Sequence, residues 1–151
     1  VFEKFGHNKR GKIVVDMRQT IIDLSNFPNE SVSEILTVNV INHLRLQDFS
    51  LAIKDWNRVL KKGGVLITDV DDVVENCKLV LGAKTKDDMD KALRYLFCHS
   101  RDKYDSHHWG YTDWYLKEFL TQFGFKFVWR DDKYTNHNYD YPRFITCFKK
   151  I

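Results

Sequence analysis

The sequence predicts an α/β fold, a mostly parallel sheet with helices on both faces and an antiparallel hairpin at the C-terminus. Three observations predict it. Two short apolar runs rich in β-branched residues, Ile35–Ile41 and Val65–Val70, flank a stretch with helical periodicity. The diglycine Gly63-Gly64 separates that stretch from the second run. Helical and strand-like segments then alternate to the end of the chain.

The first eleven residues carry only Gly6 and Gly11. Nucleotide-binding α/β domains open with a strand and a glycine-rich turn that lets backbone approach a ligand closely. The segment reads as a degenerate form of that turn, as the tail of a region whose first strand precedes Val1, or as a basic surface loop. Ile13-Val14-Val15-Asp16 is an apolar strand ending in an acid. An acid there accepts hydrogen bonds from ribose hydroxyls, or caps the next turn. Ile21-Ile22-Asp23-Leu24 reads as a third short strand ending in an acid. Ser25-Asn26 beside it keeps a turn open as the alternative.

Ile35 to Ile41 is short and β-branched, so it suits a buried strand better than a helix. Phe49, Ile53, Trp56 and Leu60 then recur at helical spacing, with Lys54, Asp55, Asn57 and Arg58 on the other face. Asp48 is the expected N-cap. Lys61 and Lys62 suit the negative end of the helix dipole, and Gly63 the left-handed position that stops a helix. Val65 to Val70 is apolar except for Thr68 and Asp69. Strand–helix–strand in this order implies two parallel strands buried on both faces. Polar residues at the carboxyl end of such a strand face the crevice where open α/β sheets bind ligands.

Residues 71–83 and 86–99 read as two helices broken at Gly82-Ala83-Lys84-Thr85. Met89, Leu93, Leu96 and Phe97 line one face of the second. Arg101 to Thr112 is polar and aromatic, and reads either as a loop packed by its rings or as a rim over a site. Thr112 caps a last helix whose apolar stripe is Leu116, Phe119, Leu120 and Phe123, with Gly124 as its stop. Strands follow at Phe125–Arg130 and Phe144–Phe148, joined as a hairpin by a polar loop.

The 151 residues fit one domain, 1–151, and 15% aromatic content favours a packed core over disorder. A net charge of +3 with interspersed signs gives no indication of a nucleic-acid partner. Cys77, Cys98 and Cys147 have no paired spacing and read as thiols in a reducing compartment, so a cytoplasmic location is expected. No apolar run is long enough for a membrane span, and no signal peptide is visible. Cys98, His99, His107 and His108 match no standard ligand spacing, and no metal site is expected. The sequence leaves the oligomeric state open.

Phe27-to-Leu44, "FPNESVSEILTVNVINHL", followed by Ala52-to-Asp72, "AIKDWNRVLKKGGVLITDVDD", resembles the central part of class I S-adenosylmethionine-dependent methyltransferases of the small, type-11-like kind. That family has a polar turn, a strand, a segment like "hvLEHl", and a helix ending in "RvLKpGG". Here Asn42 stands where the family often has Glu. "IVVDMR" at 13–18 is similar to the family's second-strand "invDir", and "YDSHHWGYT" at 104–112 to its "ydyHrwgyt". The resemblance implies a Rossmann-like fold and S-adenosylmethionine as cofactor. It implies Gly6, Asp16, Met17, Asp23, Leu24, Val38 and Asn39 as cofactor contacts, with Asp16 on the ribose and Asp23 near the adenine amino group. Segment 71–111 becomes a lid-like insertion over the substrate. His43, Tyr104, His108 and Trp109 are then substrate-side residues, though His43, a lone His after a strand, is also an ordinary structural residue, and His107 is a candidate acid or base.

The expected activity is therefore methyl transfer to an unidentified small-molecule or macromolecular acceptor. Two other classes stay open. A non-catalytic binding or regulatory module is favoured by the poor glycine turn and by Asn42. A nucleotide-dependent oxidoreductase is disfavoured, since Gly-x-Gly-x-x-Gly is missing. No Gly-x-Ser-x-Gly, Walker loop or zinc signature competes.

Overall fold

The computed structural model describes residues 6–7, 13–14, 20–99, 105–132 and 141–151. The expected contacts Asp16, Met17 and Tyr104 lie outside them.

Two sheets are present among these residues. Gly6–His7 (β1) and Ile13–Val14 (β2) pair antiparallel as a small ribbon. The main sheet has the order β3-β4-β6-β5, from Val32–Val38, Leu60–Asp71, Arg143–Lys150 and Phe125–Asp131. β3 and β4 run parallel, with Ile35 beside Leu66 and Val38 beside Asp69. β4–β6 and β5–β6 are antiparallel. The closing hairpin is as expected, whereas the expectation of a mostly parallel sheet is corrected to a mixed one. The physical reason is that neither N-terminal strand joins it here: Ile13–Val14 pairs with β1, and Ile21–Leu24 is not a strand.

That last segment is a bend and turn because α1 takes its backbone groups. α1 spans Leu46–Val59 and buries Phe49, Ala52, Ile53, Trp56 and Val59 at helical spacing. From its flank, Trp56 Nε1 donates to Ile21 O at 2.8 Å and Arg58 Nη2 to Leu24 O at 2.9 Å. The Asp55 carboxylate accepts from the Leu24 N–H. Side chains thus satisfy groups that a strand ladder would otherwise use. α1 starts earlier than expected: Arg45 is its N-cap and Asp48 lies in its first turn. It also ends earlier, at the Leu60 C-cap, so Gly63 does not stop it.

Gly63 does take a left-handed φ of 77°, but inside β4, where the register slips between the Val32–Leu60 and Glu34–Val65 pairs. Beside it, a Cβ on Gly64 would meet the Lys61 and Ser33 carbonyl oxygens at 2.9 and 3.0 Å. Close backbone approach makes glycine necessary there.

One face of the sheet, carrying Ile35, Leu66, Val70, Phe144 and Phe148, packs into a single core with α1 and α4 (Asp113–Thr121). Phe49 of α1 stacks on Phe119 of α4 at 5.2 Å between centroids. Thr68 and Thr146, both buried on that face, satisfy each other at 2.7 Å. β4 leads into α2 (Val73–Gly82), capped by Asp72, and α2 into α3 (Lys86–Phe97), which opens with a Thr85–Asp88 capping box. The two helices break at residues 83–85, as the sequence suggests. The ends of this segment meet, since Asp72 bridges Tyr111 beside the carboxyl end of β4.

Candidate functional site

The parallel pair puts the carboxyl ends of β3 and β4 side by side, and the antiparallel β6 brings its first residues to the same edge. Asn39 N donates to Asp69 O at 3.1 Å, which closes the two strand ends together. Asn39 itself turns left-handed, at φ 53°, a conformation asparagine tolerates better than most residues. Alternation along β4 then points Asp69 and Asp71 to one face. Arg143 lies opposite Asp71 in register and on that same face.

These residues form a buried polar network. Arg143 Nη2 and Nε lie 2.6 and 2.9 Å from Asp69 Oδ1, and both side chains are fully buried. Arg143 Nη1 donates to Tyr141 Oη at 3.0 Å and lies 3.2 Å from Asp71 Oδ1. That second approach has the distance of an ion pair without the angles of a hydrogen bond. Both Asp71 oxygens therefore have no hydrogen-bond partner among the described residues. Burial pushes the Asp71 carboxyl up to about 6, against the opposing pull of Arg143. Tyr141 is also raised, by burial first. Tyr141 stacks on Tyr95 of α3 at 4.7 Å, and Asn39 Nδ2 reaches its hydroxyl at 3.4 Å.

A 3-10 turn, Ile41–His43, follows β3 and carries His43 to the edge of this network. His43 meets His107 edge to face, with centroids 4.8 Å apart. His107 Nε2 lies 3.5 Å from Asp71 Oδ2. Burial lowers the pKa of both rings, helped at His43 by the neighbouring imidazole and opposed at His107 by the Leu96 carbonyl. The structure thus brings three of the expected residues, Asn39, His43 and His107, into one region with the strand ends.

Other expected residues fall elsewhere. His108 and Trp109 are exposed on the rim, tied down by their N–H groups to Asn42 O at 2.8 and 3.2 Å. Val38 is half-buried at the end of β3. Asp23 is exposed, and its Oδ1 accepts from Ser25 N at 2.9 Å, the local turn that Ser25-Asn26 left open. Leu24 is fully buried in the core. Gly6 sits in the β1 ribbon opposite Val14, so its backbone forms a strand pair.

Arg143, Tyr141 and Asp71 were missed in the sequence. The signal was present: an Asp-x-Asp at the end of β4 and an Arg at the head of the last strand. Only the register shows that they share a face.

A second feature marks this edge. Asn39 Oδ1 and Asn42 Oδ1 are buried without a hydrogen-bond partner among the described residues, as are both oxygens of Asp71. All are acceptors. Such groups are rare in folded proteins and are expected to meet a partner. The site therefore offers acceptors to a ligand bearing donors or positive charge.

Residues 3–68 match the family model described as a methyltransferase domain. No curated protein matches the chain. Among solved structures, a SAM-dependent methyltransferase from Methanosarcina mazei is similar at 17% identity and TM-score 0.61, over 88% of this chain and 65% of that one. A Thermotoga maritima SAM-dependent methyltransferase, described as a possible histamine N-methyltransferase, is 20% identical with TM-score 0.57, over 95% of this chain and 66% of that one. The magnesium protoporphyrin IX methyltransferase of Synechocystis, solved with bound S-adenosylhomocysteine, is 14% identical with TM-score 0.57, over 89% and 50%. The chain spans less than two thirds of the length of each of these three proteins, and at these identities the likeness is one of fold. Among the described residues no helix is long and apolar enough to cross a membrane. The matched segment, less than half of the chain, is similar to a methyltransferase domain, and the fold is one shared with solved S-adenosylmethionine-dependent methyltransferases.

Proposed function

We propose that the chain binds S-adenosylmethionine at the carboxyl edge of β3 and β4 and transfers its methyl group to an acceptor held under the 71–111 segment. One observation carries the reading most: unsatisfied buried acceptors cluster where an open α/β sheet binds ligands. Asn39 Oδ1, buried at the turn out of β3, suits the ammonium of the cofactor's methionine part. Val38 beside it, with Gly6, Asp16, Met17, Asp23 and Leu24, completes the cofactor side by resemblance. When bound, the cofactor supplies an already activated methyl group. The protein's share is then to align the acceptor and exclude water, so no protein nucleophile is needed.

The acceptor side consists of His43, Tyr104, His107, His108 and Trp109. His107 is held through Nδ1 by the Leu96 carbonyl at 3.0 Å, so Nε2 carries the lone pair. Its lowered pKa keeps the ring neutral near neutrality, as a proton acceptor requires. Asp71 Oδ2 lies 3.5 Å from His107 Nε2. The acceptor, small or macromolecular, is unidentified. Cys77, Cys98 and Cys147 form no disulfide, which supports a cytoplasmic setting. A single domain over 1–151, with 71–111 as its lid, is part of this reading.

A thermal-shift panel on the full protein tests it. S-adenosylmethionine and S-adenosylhomocysteine should raise the melting temperature, and nicotinamide dinucleotides should not. A shift with nicotinamides alone makes the protein an oxidoreductase. No shift with any ligand makes it a non-catalytic module.

A further inference from the structure

His43, Cys98 and His107 come from three separate elements: the turn after β3, the end of α3 and the loop before α4. One potential ligand atom from each lies within 4.8 Å of the other two. In both imidazoles Nδ1 faces a backbone carbonyl, Ser106 at 3.1 Å for His43 and Leu96 at 3.0 Å for His107. These contacts put the proton on Nδ1 and leave the lone pair on Nε2. Metal-binding histidines are commonly oriented in this way. Beside them stands the Asp71 carboxylate, with 5% of its side chain exposed and Oδ2 3.5 Å from His107 Nε2. Neither of its oxygens has a hydrogen-bond partner among the described residues.

We propose that His43, Cys98 and His107 bind a zinc-type divalent cation, with the Asp71 carboxylate as its neighbouring counter-charge. Two imidazole nitrogens and a thiolate form a donor set suited to zinc and unsuited to magnesium or calcium, which prefer oxygen. Charge balances: the thiolate and the carboxylate together offset a dication. Cys98 Sγ is a thiol proton donor to Asp105 Oδ1 at 3.4 Å. As the metal–sulfur bond forms, that S–H bond breaks and the proton leaves to solvent.

The ion would join the end of α3 and the following loop to the edge of the sheet. With it bound, His107 Nε2 is a metal ligand, and the proton-acceptor role proposed above belongs to the metal-free protein. The test reads metal binding directly, so its failure is distinguishable from failure of cofactor binding or methyl transfer.

The test is a cobalt(II) titration of the full protein after treatment with a chelator, read by absorption spectroscopy. The account expects a thiolate-to-cobalt charge-transfer band that zinc(II) abolishes by competition. Cys98→Ser should remove the band, and Cys77→Ser, which alters an exposed cysteine, should keep it. His43→Gln should weaken cobalt(II) binding at least about tenfold. Circular dichroism reports whether each variant folds, and if Cys98→Ser does not, His43→Gln carries the test. The proposal is overturned by a wild-type protein without the band, by a band that survives in Cys98→Ser, or by unchanged affinity in His43→Gln.

Discussion

Arg143→Met is the most informative single change in the buried network. The guanidinium and the Asp69 carboxylate are both fully buried and lie 2.6 Å apart, with a second contact at 2.9 Å. The substitution keeps volume and apolar stem but leaves Asp69 as a charge without its cation. Removing one partner of a buried pair costs about 3–5 kcal/mol, because the remaining charge stays desolvated. A domain is stable by only about 5–15 kcal/mol in total, so this loss is a large fraction of it. Screening by solvent does not reduce the figure at a site this buried. Urea unfolding followed by circular dichroism measures the change, with the slope checked for constancy. Adding Asp69→Leu to Arg143→Met should recover much of the loss, since the stranded charge is gone. A loss of less than about 1 kcal/mol, the scale of an exposed pair, would refute the reasoning.

Other outcomes follow from the same geometry. Gly64→Ala should destabilise by about 1–3 kcal/mol, since its Cβ would press on two backbone carbonyls that cannot rotate away. Gly82→Ala, with nothing within 4 Å, should be neutral or stabilise by up to about 1 kcal/mol, and thermal unfolding of the pair compares the two. Asp16→Ala should weaken cofactor binding by roughly 1.5–3 kcal/mol, the value of a hydrogen bond to a charged group. His107→Ala should leave cofactor affinity nearly unchanged and alter only acceptor binding or turnover. Equal effects of these two changes on cofactor affinity would contradict the assignment of Asp16 and His107 to separate regions.

The sequence was most legible where local signals and burial agreed. Phe49, Ile53 and Trp56 repeat at helical spacing, and all three are buried on α1. The runs around Ile35 and Val65 do form parallel neighbours. Thr112 does cap the last helix, accepting from Tyr115 N at 3.2 Å. It was least legible where side chains override backbone preference. Ile21–Leu24 has strand composition, yet Trp56, Asp55 and Arg58 hold its backbone in a turn. In the sequence Gly63 suits the left-handed position that stops a helix. Its left-handed φ serves instead a slip in register that depends on β3, and no local pattern reports that. The site divides in the same way. His43 and Asn39 were visible as polar residues just after a strand. Arg143 and Tyr141 join them only because β6 runs antiparallel beside β4.

Calorimetric titration of the full protein with S-adenosylhomocysteine tests the central claim most directly. The account predicts saturable one-to-one binding, weakened by Asn39→Ala, because the buried Asn39 oxygen is the acceptor assigned to the ligand's ammonium. Absence of heat at millimolar ligand, with no displacement of S-adenosylmethionine, would contradict it.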